Sequence, residues 1–253
     1  MIKTIKDNTI FGKTKVMGSG AGHIFRLCVA SLGDLFFPRM CLVCGTKLDI
    51  GTRHLCPSCA DDIPLTYFWG WDGNPAEQRL AGAHVEQACS LFFYRRDSAY
   101  SRLIHDFKYG GDIRLGRRLA GMLAEKMVSS GRFTEIDAVV PIPLHPLKKF
   151  KRGFNQSDII GKELASALGA SFEPNLIRRR RFTRTQTRAA DRRSNMKGAF
   201  SVNEKVLRRL REAGTVRILI VDDVLTTGST IAAAAAVLPE EFRLSAATLA
   251  CVE

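Results

Sequence analysis

Two adjacent carboxylates and a short loop of small hydroxyl residues stand together in the segment 216–230, VRILIVDDVLTTGST. The apolar, β-branched run before Asp222 and Asp223 is continuous, which predicts a strand buried on both faces. Acids at the carboxyl end of such a strand fall where open α/β sheets bind their ligands. The loop 226–230 offers backbone N–H groups and hydroxyls at the start of an alanine-rich helix, which favours a bound anion. Together these groups describe a pocket for a sugar phosphate. The alternative interpretation is a buried strand that ends in a capped turn.

Strands that alternate with helices must position this segment. Besides 216–221, the hydrophobic patterns predict strands at 88–94, 136–142 and 244–252. They predict helices at 99–108, 114–129 and 155–168, and a further helix that runs from the loop 226–230 to Leu238. Asn155 and Asp158 at the start of the third helix resemble a capping box. The alternation favours a mainly parallel α/β sheet.

Four cysteines form a second constellation, Cys41-x2-Cys44-x11-Cys56-x2-Cys59. Two such knuckles at short separation suit a tetrahedral site of four thiolates, and that closed ligand set predicts structural zinc. The alternative is a redox dithiol, which would need only one knuckle, at a helix start. His54 lies between the knuckles; it is a fifth candidate ligand, but because four thiolates already satisfy the metal we expect it to lie at the surface or to support the site.

The composition is that of an ordinary globular protein of 253 residues, with 45% hydrophobic and 25% charged residues. No apolar run reaches the ~18 residues that a membrane span needs, and the amino-terminal segment lacks the pattern of a signal peptide, so we expect a cytoplasmic protein without membrane insertion. The formal charge is +13, and residues 140–200 hold 14 Lys and Arg against 4 Asp and Glu. This concentration implies an anionic partner, for which polyphosphate and nucleic acid both qualify. A merely solvated basic face is the alternative.

The segment 216–230 resembles the signature of type I phosphoribosyltransferases, which bind phosphoribosyl pyrophosphate (PRPP). From about residue 37 to residue 252 the chain resembles the ComF family, whose name links it to natural competence for DNA uptake. The blocks that carry the resemblance are FPRMCLVCG, LCPSC, LIHDFKYGG, VVPIPLHPLKKFKRGFNQS, RRFTRTQTRAADRRSNMKGAF and VDDVLTTGST.

The resemblance implies an α/β fold: a type I phosphoribosyltransferase-like, mainly parallel sheet with flanking helices, preceded by a small four-cysteine zinc ribbon. The predicted organisation is a tail at 1–21, an amphipathic helix with the zinc ribbon at 22–66, a linker at 67–87 and the phosphoribosyltransferase-like domain at 88–253.

The resemblance also implies roles for single residues. Asp222 and Asp223 would hold the ribose hydroxyls and act as the catalytic pair, with Mg²⁺ bound together with PRPP. The pyrophosphate loops would be basic and polar, and the segment 178–200 would act as a hood over PRPP. The loop 226–230, which follows Asp222 and Asp223, would complete the PRPP site. The PRPP-binding set is Asp222, Asp223, Val224, Leu225, Thr226, Thr227, Gly228, Ser229 and Thr230; the pyrophosphate and flexible-loop set is Lys148, Arg152, Thr185, Gln186 and Arg192.

The function that the resemblance implies is PRPP binding with pentosyl transfer, in competence and DNA uptake or in nucleotide-related metabolism. The alternative is a single-stranded DNA-binding competence factor that keeps the scaffold with little or no catalysis. The predicted partners are PRPP or another phosphoribosyl ligand, single-stranded DNA and a helicase-type competence protein. Lys108 and Tyr109 are candidates for the acceptor side.

Overall fold

The computed structural model describes residues 38–49, 51–180 and 198–253. The predicted tail at 1–21, the amphipathic helix predicted at 22–37, and the candidates Thr185, Gln186 and Arg192 lie outside these residues. The helices are α1 (Pro57–Asp61), α2 (Pro75–Arg79), α3 (Ser101–Tyr109), α4 (Ile113–Ser130), α5 (Pro146–Arg152), α6 (Gln156–Leu168), α7 (Glu204–Glu212) and α8 (Ser229–Ala235). The strands are β1 (Gln87–Tyr94), β2 (Ala138–Pro141), β3 (Ser171–Phe172), β4 (Ile177–Arg179), β5 (Phe200–Val202), β6 (Arg217–Leu225) and β7 (Arg243–Val252).

A five-stranded sheet with the order β1-β7-β6-β2-β3 forms the centre of the fold. Every pairing in it is parallel, whereas β4 and β5 form a separate antiparallel pair. The apolar runs of β6 and β7 are buried, as expected for strands covered on both faces. The predicted mainly parallel α/β fold with flanking helices is therefore confirmed.

Strand β6 continues beyond the two acids that the sequence places at its carboxyl end. It pairs with β7 as far as Leu225 and Cys251, whereas its pairing with β2 stops at Val221. Asp222 and Asp223 are still in the strand, yet they project past the end of β2 on one side. The helix after the loop ends at Ala235, three residues before the predicted end.

Helix α4 follows its amphipathic pattern, with Leu115, Leu119 and Leu123 buried against the core. It packs against α6, which in turn contacts β2 and β6. The capping box predicted for α6 is wrong. The Asn155 amide donates to Asp158 Oδ1 at 2.7 Å and to the Ile142 carbonyl at 3.1 Å, so this buried side chain ties the exit of β2 to the start of α6.

The segment 67–87, which the sequence suggests is a linker, packs against β1. Within this segment Phe68 and Leu80 are buried in the hydrophobic core of the protein, and Asn74 is fully buried. The Asn74 amide donates to the carbonyls of Phe68 and Ala88, at 3.1 and 3.0 Å. These bonds hold the segment on the sheet. The boundaries at 22–66 and 88–253 stay predictions.

None of the helices in the described part of the chain has both the length and the hydrophobicity that crossing a membrane requires.

Candidate functional site

A cleft of about 1190 Å³ opens at the carboxyl ends of β1, β6 and β7, with α3 along one side. Parallel α/β sheets bind ligands at this edge. Most of the predicted sugar-phosphate residues line it: Asp222, Asp223, Val224, Thr226, Thr227 and Thr230. Leu225 is buried in the core instead, and Gly228 and Ser229 shape the loop without lining the cleft.

The carboxylates of Asp222 and Asp223 are held differently. Asp222 Oδ1 accepts hydrogen bonds from the Ser157 hydroxyl at 3.1 Å and from the Asp223 backbone N–H at 2.9 Å. Burial and the neighbouring charge of Asp223 raise the pKa of Asp222 to about 7. Asp223 instead forms an ion pair with Lys108, with 2.9 Å between Oδ1 and Nζ. Asp222 and Asp223 together therefore carry more negative charge than Lys108 neutralises.

The loop after β6 is folded against α2. Gly228 has a φ of 79°, and a Cβ there would lie 2.7 Å from the Arg79 carbonyl oxygen. Arg79 Nη1 donates to the Thr226 carbonyl at 3.2 Å and to Cys251 Sγ at 3.1 Å. Within the part of the chain that the structure describes, the N–H groups of Thr227 and Gly228 have no acceptor. These donors are free to bind a ligand oxygen.

Several cleft residues have no local signal in the sequence. Arg79 comes from the segment read as a linker, and Arg95 and Arg96 follow β1. Lys108 and Tyr109, considered for the acceptor side, also line the cleft. Only tertiary folding brings the first three to the acids, so no motif could have identified them.

The two pyrophosphate candidates in the described residues lie on α5, where the sequence suggests a loop. Lys148 lines the cleft. Arg152 does not: its guanidinium lies 4.8 Å from the centroid of the Tyr109 ring and donates to the Tyr109 hydroxyl at 3.1 Å and to Gln156 Oε1 at 2.9 Å. Arg152 therefore supports the Tyr109 wall of the cleft.

Arg179 is the last residue of β4 and belongs to the basic segment 178–200, of which the structure describes residues 178–180 and 198–200. Burial lowers the pKa of its guanidinium, and the charge of Asp222 opposes that shift. The guanidinium lies 5.4 Å from the Phe200 ring centroid, and its buried Nε has no acceptor among the described residues. A positive, unpaired donor thus lies within the electrostatic reach of the acid pair.

The four predicted zinc ligands lie near the amino-terminal end of the described residues and come together in space. The sulfur atoms of Cys41, Cys44, Cys56 and Cys59 all lie within 4.8 Å of one another. The distance between the sulfurs of Cys44 and Cys56 is 3.8 Å, close to the edge of about 3.8 Å that Zn–S bonds of about 2.3 Å give a tetrahedron.

Backbone geometry supports this ligand set. Gly45 turns the first knuckle at a φ of 73°, and Cys56 caps α1 just before Pro57. The Cys56 N–H donates to Cys41 Sγ at 3.4 Å. Hydrogen bonds with Thr46 lower the pKa of Cys44 to about 6. Burial and the neighbouring thiols raise the pKa of Cys59. Four cysteine sulfurs so close together can all be deprotonated only beside a cation, so the residues fit a bound metal such as zinc.

His54 stays outside this cluster. Its Nε2 lies 2.8 Å from Asp112 Oδ2, and its backbone carbonyl accepts the Leu42 N–H at 2.8 Å. A supporting role for His54 beside the metal site stays a prediction.

Comparison with known proteins adds a family to this geometry. The sequence is 30% identical over 211 residues to competence protein F of Haemophilus influenzae, which covers 78% of this chain and 89% of that protein. The chain belongs to the ComF family. It is also 35% identical over 221 residues to the DNA utilization protein YhgH of Salmonella typhimurium, covering 81% of this chain and 92% of that protein. The YhgH protein of Escherichia coli strain K12 is 34% identical over 211 residues, covering 79% and 83%. No protein-family model matches the sequence. In this ComF chain the four-cysteine module precedes the parallel sheet, as the resemblance implied.

Proposed function

We propose that this ComF chain binds PRPP together with Mg²⁺ in the cleft and transfers its phosphoribosyl group. The observation that carries the proposal is the pair Asp222 and Asp223 beside a loop with free backbone donors. The acids offer acceptors for the two ribose hydroxyls, and the N–H groups of Thr227 and Gly228 offer donors for the 5′-phosphate. The names of the relatives, competence protein F and DNA utilization protein, support a role in DNA uptake or use.

The charges of the cleft favour this ligand. Its lining holds five Lys or Arg and four Asp or Glu side chains, so it is nearly balanced. A balanced cleft suits a phosphate ligand that arrives with a cation better than it suits a bare polyanion. Oxygen ligands from one or two carboxylates are also those that Mg²⁺ takes beside substrate phosphates.

The chain contributes positioning and charge. Bound Mg²⁺ would neutralise charge on the leaving pyrophosphate at ribose C1. Asp222 and Asp223 orient the sugar, while Lys108 and Lys148 place positive charge at the cleft wall. The acceptor would approach C1 from the remaining space, toward Tyr109.

The test is a binding titration of PRPP with Mg²⁺ to the zinc-loaded protein. Replacing both Asp222 and Asp223 with asparagine removes two charged acceptors at unchanged size. Because hydrogen bonds to charged groups contribute about 1.5–3 kcal/mol each, we expect affinity to fall by about 100-fold or more. Asp97→Asn is the matched control: Asp97 is a cleft acid that is 82% exposed and lies on the rim. Equal PRPP affinity in the double variant and the unmodified protein contradicts the proposal.

A second candidate function is the binding of single-stranded DNA, and α5 favours it. Phe150 is 89% exposed and Leu147 is 69% exposed, next to Lys148, Lys149 and Lys151. Exposed aromatic rings among basic side chains are typical of surfaces that stack bases and follow a phosphate backbone. Phe150→Ala should weaken oligonucleotide binding and leave PRPP binding unchanged, and the affinity should fall steeply with salt. A helicase-type partner and a cytoplasmic location stay predictions.

A further inference from the structure

The zinc module contacts the residue just before α3, the helix that forms one side of the cleft, and the residue that begins α4 three positions after α3 ends. Tyr100 immediately precedes α3, and its hydroxyl donates to the carbonyl of the metal-ligand candidate Cys59 at 3.1 Å. Beyond the other end, His54 Nε2 lies 2.8 Å from Asp112 Oδ2. The module thus contacts the chain on both sides of the helix.

Helix α3 carries the cation that pairs with Asp223. Lys108, near its carboxyl end, forms the 2.9 Å ion pair with Asp223, and the two side chains are only 18% and 14% exposed. Between Lys108 and Asp112 the chain passes through Gly110 and Gly111, the latter with a φ of 69°. Two glycines give this junction wide backbone freedom, so the buried face of α3, with Leu103, Ile104 and Phe107, and the contact at Asp112 together set where the helix ends.

Asp112 has two separate roles at this junction. Its Oδ1 accepts the Leu115 N–H at 3.0 Å and caps α4, while its Oδ2 faces His54. The position of His54 comes in turn from the metal module, because its carbonyl binds the Leu42 N–H within the first knuckle. His54 adopts a φ of 69°, a conformation that asparagine also tolerates better than most residues.

We propose that His54 is a positioning residue for the cleft: through Asp112 it fixes α3, so that the folded metal module sets the place of Lys108 against Asp223. Ligand affinity in the cleft then depends on a contact that touches neither the ligand nor the metal. This dependence rests on the proposed PRPP function, whereas the effect on α3 itself does not.

Two variants of His54 separate the contact from the backbone. His54→Asn keeps a residue suited to the left-handed conformation but is too short to reach Asp112. His54→Gln places an amide nitrogen about where Nε2 stands. We expect both to keep zinc through the four cysteines. His54→Asn should speed hydrogen exchange in residues 101–109 and weaken PRPP binding by about tenfold, on the scale of one lost charge-assisted hydrogen bond. His54→Gln should restore both.

His84→Asn is the matched control, since His84 also has a positive φ, 54°, and makes one hydrogen bond, to the Phe242 carbonyl far from α3. It should change neither readout. If His54→Asn loses zinc, Asp112→Asn replaces it, because asparagine still caps α4.

Unchanged exchange in 101–109 and unchanged PRPP affinity in a zinc-loaded variant overturn the inference. If the unmodified protein does not bind PRPP, the proposed function fails, and the exchange measurement without ligand still decides whether His54 positions α3.

Discussion

Replacing Gly228 with alanine tests whether the phosphate-binding loop depends on its close approach to α2. Its φ of 79° lies in the left-handed region, where an alanine costs about 1 kcal/mol. The new Cβ would also lie 2.7 Å from the Arg79 carbonyl oxygen and 2.9 Å from Leu80 Cδ2. Because the carbonyl is backbone, relief requires α2 or the loop to move, which adds about 1–3 kcal/mol. We expect the free energy of unfolding to fall by about 2–4 kcal/mol in total.

Gly214→Ala supplies the comparison. Gly214 has a φ of 73°, and nothing lies within 4 Å of its Cβ position, so alanine there meets only the backbone cost. Urea unfolding of the zinc-loaded proteins measures both losses. The difference of about 1–3 kcal/mol between them reports the contact with α2. Equal losses in the two variants would refute this reasoning. Gly228→Ala should also weaken PRPP binding, whereas Gly214→Ala should not.

Three further predictions concern packing, protonation and the metal. In α4, Gly116→Ala puts a Cβ 2.1 Å from the buried Phe107 ring and should destabilise by about 1–3 kcal/mol in urea unfolding, whereas Gly121→Ala meets open space and should stabilise by about 0.5–1 kcal/mol; losses of equal sign would contradict this packing. The pKa of Asp222 is about 7 in the folded protein, against an ordinary value of 3.8, so between these pH values the folded state binds a proton that the unfolded state has lost. Without ligand, the free energy of unfolding therefore falls from about pH 4 to about pH 7 and this contribution is constant above about pH 7. Asp222→Asn should remove that part of the pH dependence in unfolding measured across the range, and an identical profile would show that Asp222 does not titrate there. Cys41→Ser should lower both the zinc content and the free energy of unfolding, because metal affinity and folding are linked; full zinc content in this variant would exclude Cys41 as a ligand.

Elements with a strong hydrophobic pattern follow from the sequence closely. Strands β6 and β7 come from continuous apolar runs, and α4 comes from its stripe of leucines. Helix α5 escapes prediction because PLKKFKR has charge on every side and no apolar stripe, although Pro146 and the left-handed Gly153 mark its ends. The packing of 67–87 escapes it as well, since the bonds of Asn74 to the neighbouring strand exist only in the folded chain.

The candidate site divides in the same way. Asp222, Asp223 and the loop after them are recognisable because strand, acids and loop are contiguous in the sequence. The zinc ligands are recognisable because two knuckles have a fixed spacing. Arg79, which bonds to the loop across 147 positions of sequence, has no local signal, and neither does its place in the cleft. Sequence separation, rather than unusual chemistry, limits what could be foreseen.

The carboxylates of Asp222 and Asp223 explain why a phosphate ligand should need its own cation. Lys108 neutralises Asp223, and Asp222 meets its surplus charge by retaining a proton up to about pH 7. A phosphate that entered alone would add further negative charge beside that pair and strengthen the retention of the proton. A divalent cation that entered with the phosphate would instead replace the proton on Asp222, and this exchange becomes easier as the pH rises. Mg²⁺ dependence and the titration of Asp222 are therefore two measures of the same electrostatic imbalance. PRPP affinity that ignored both would place the ligand away from these acids.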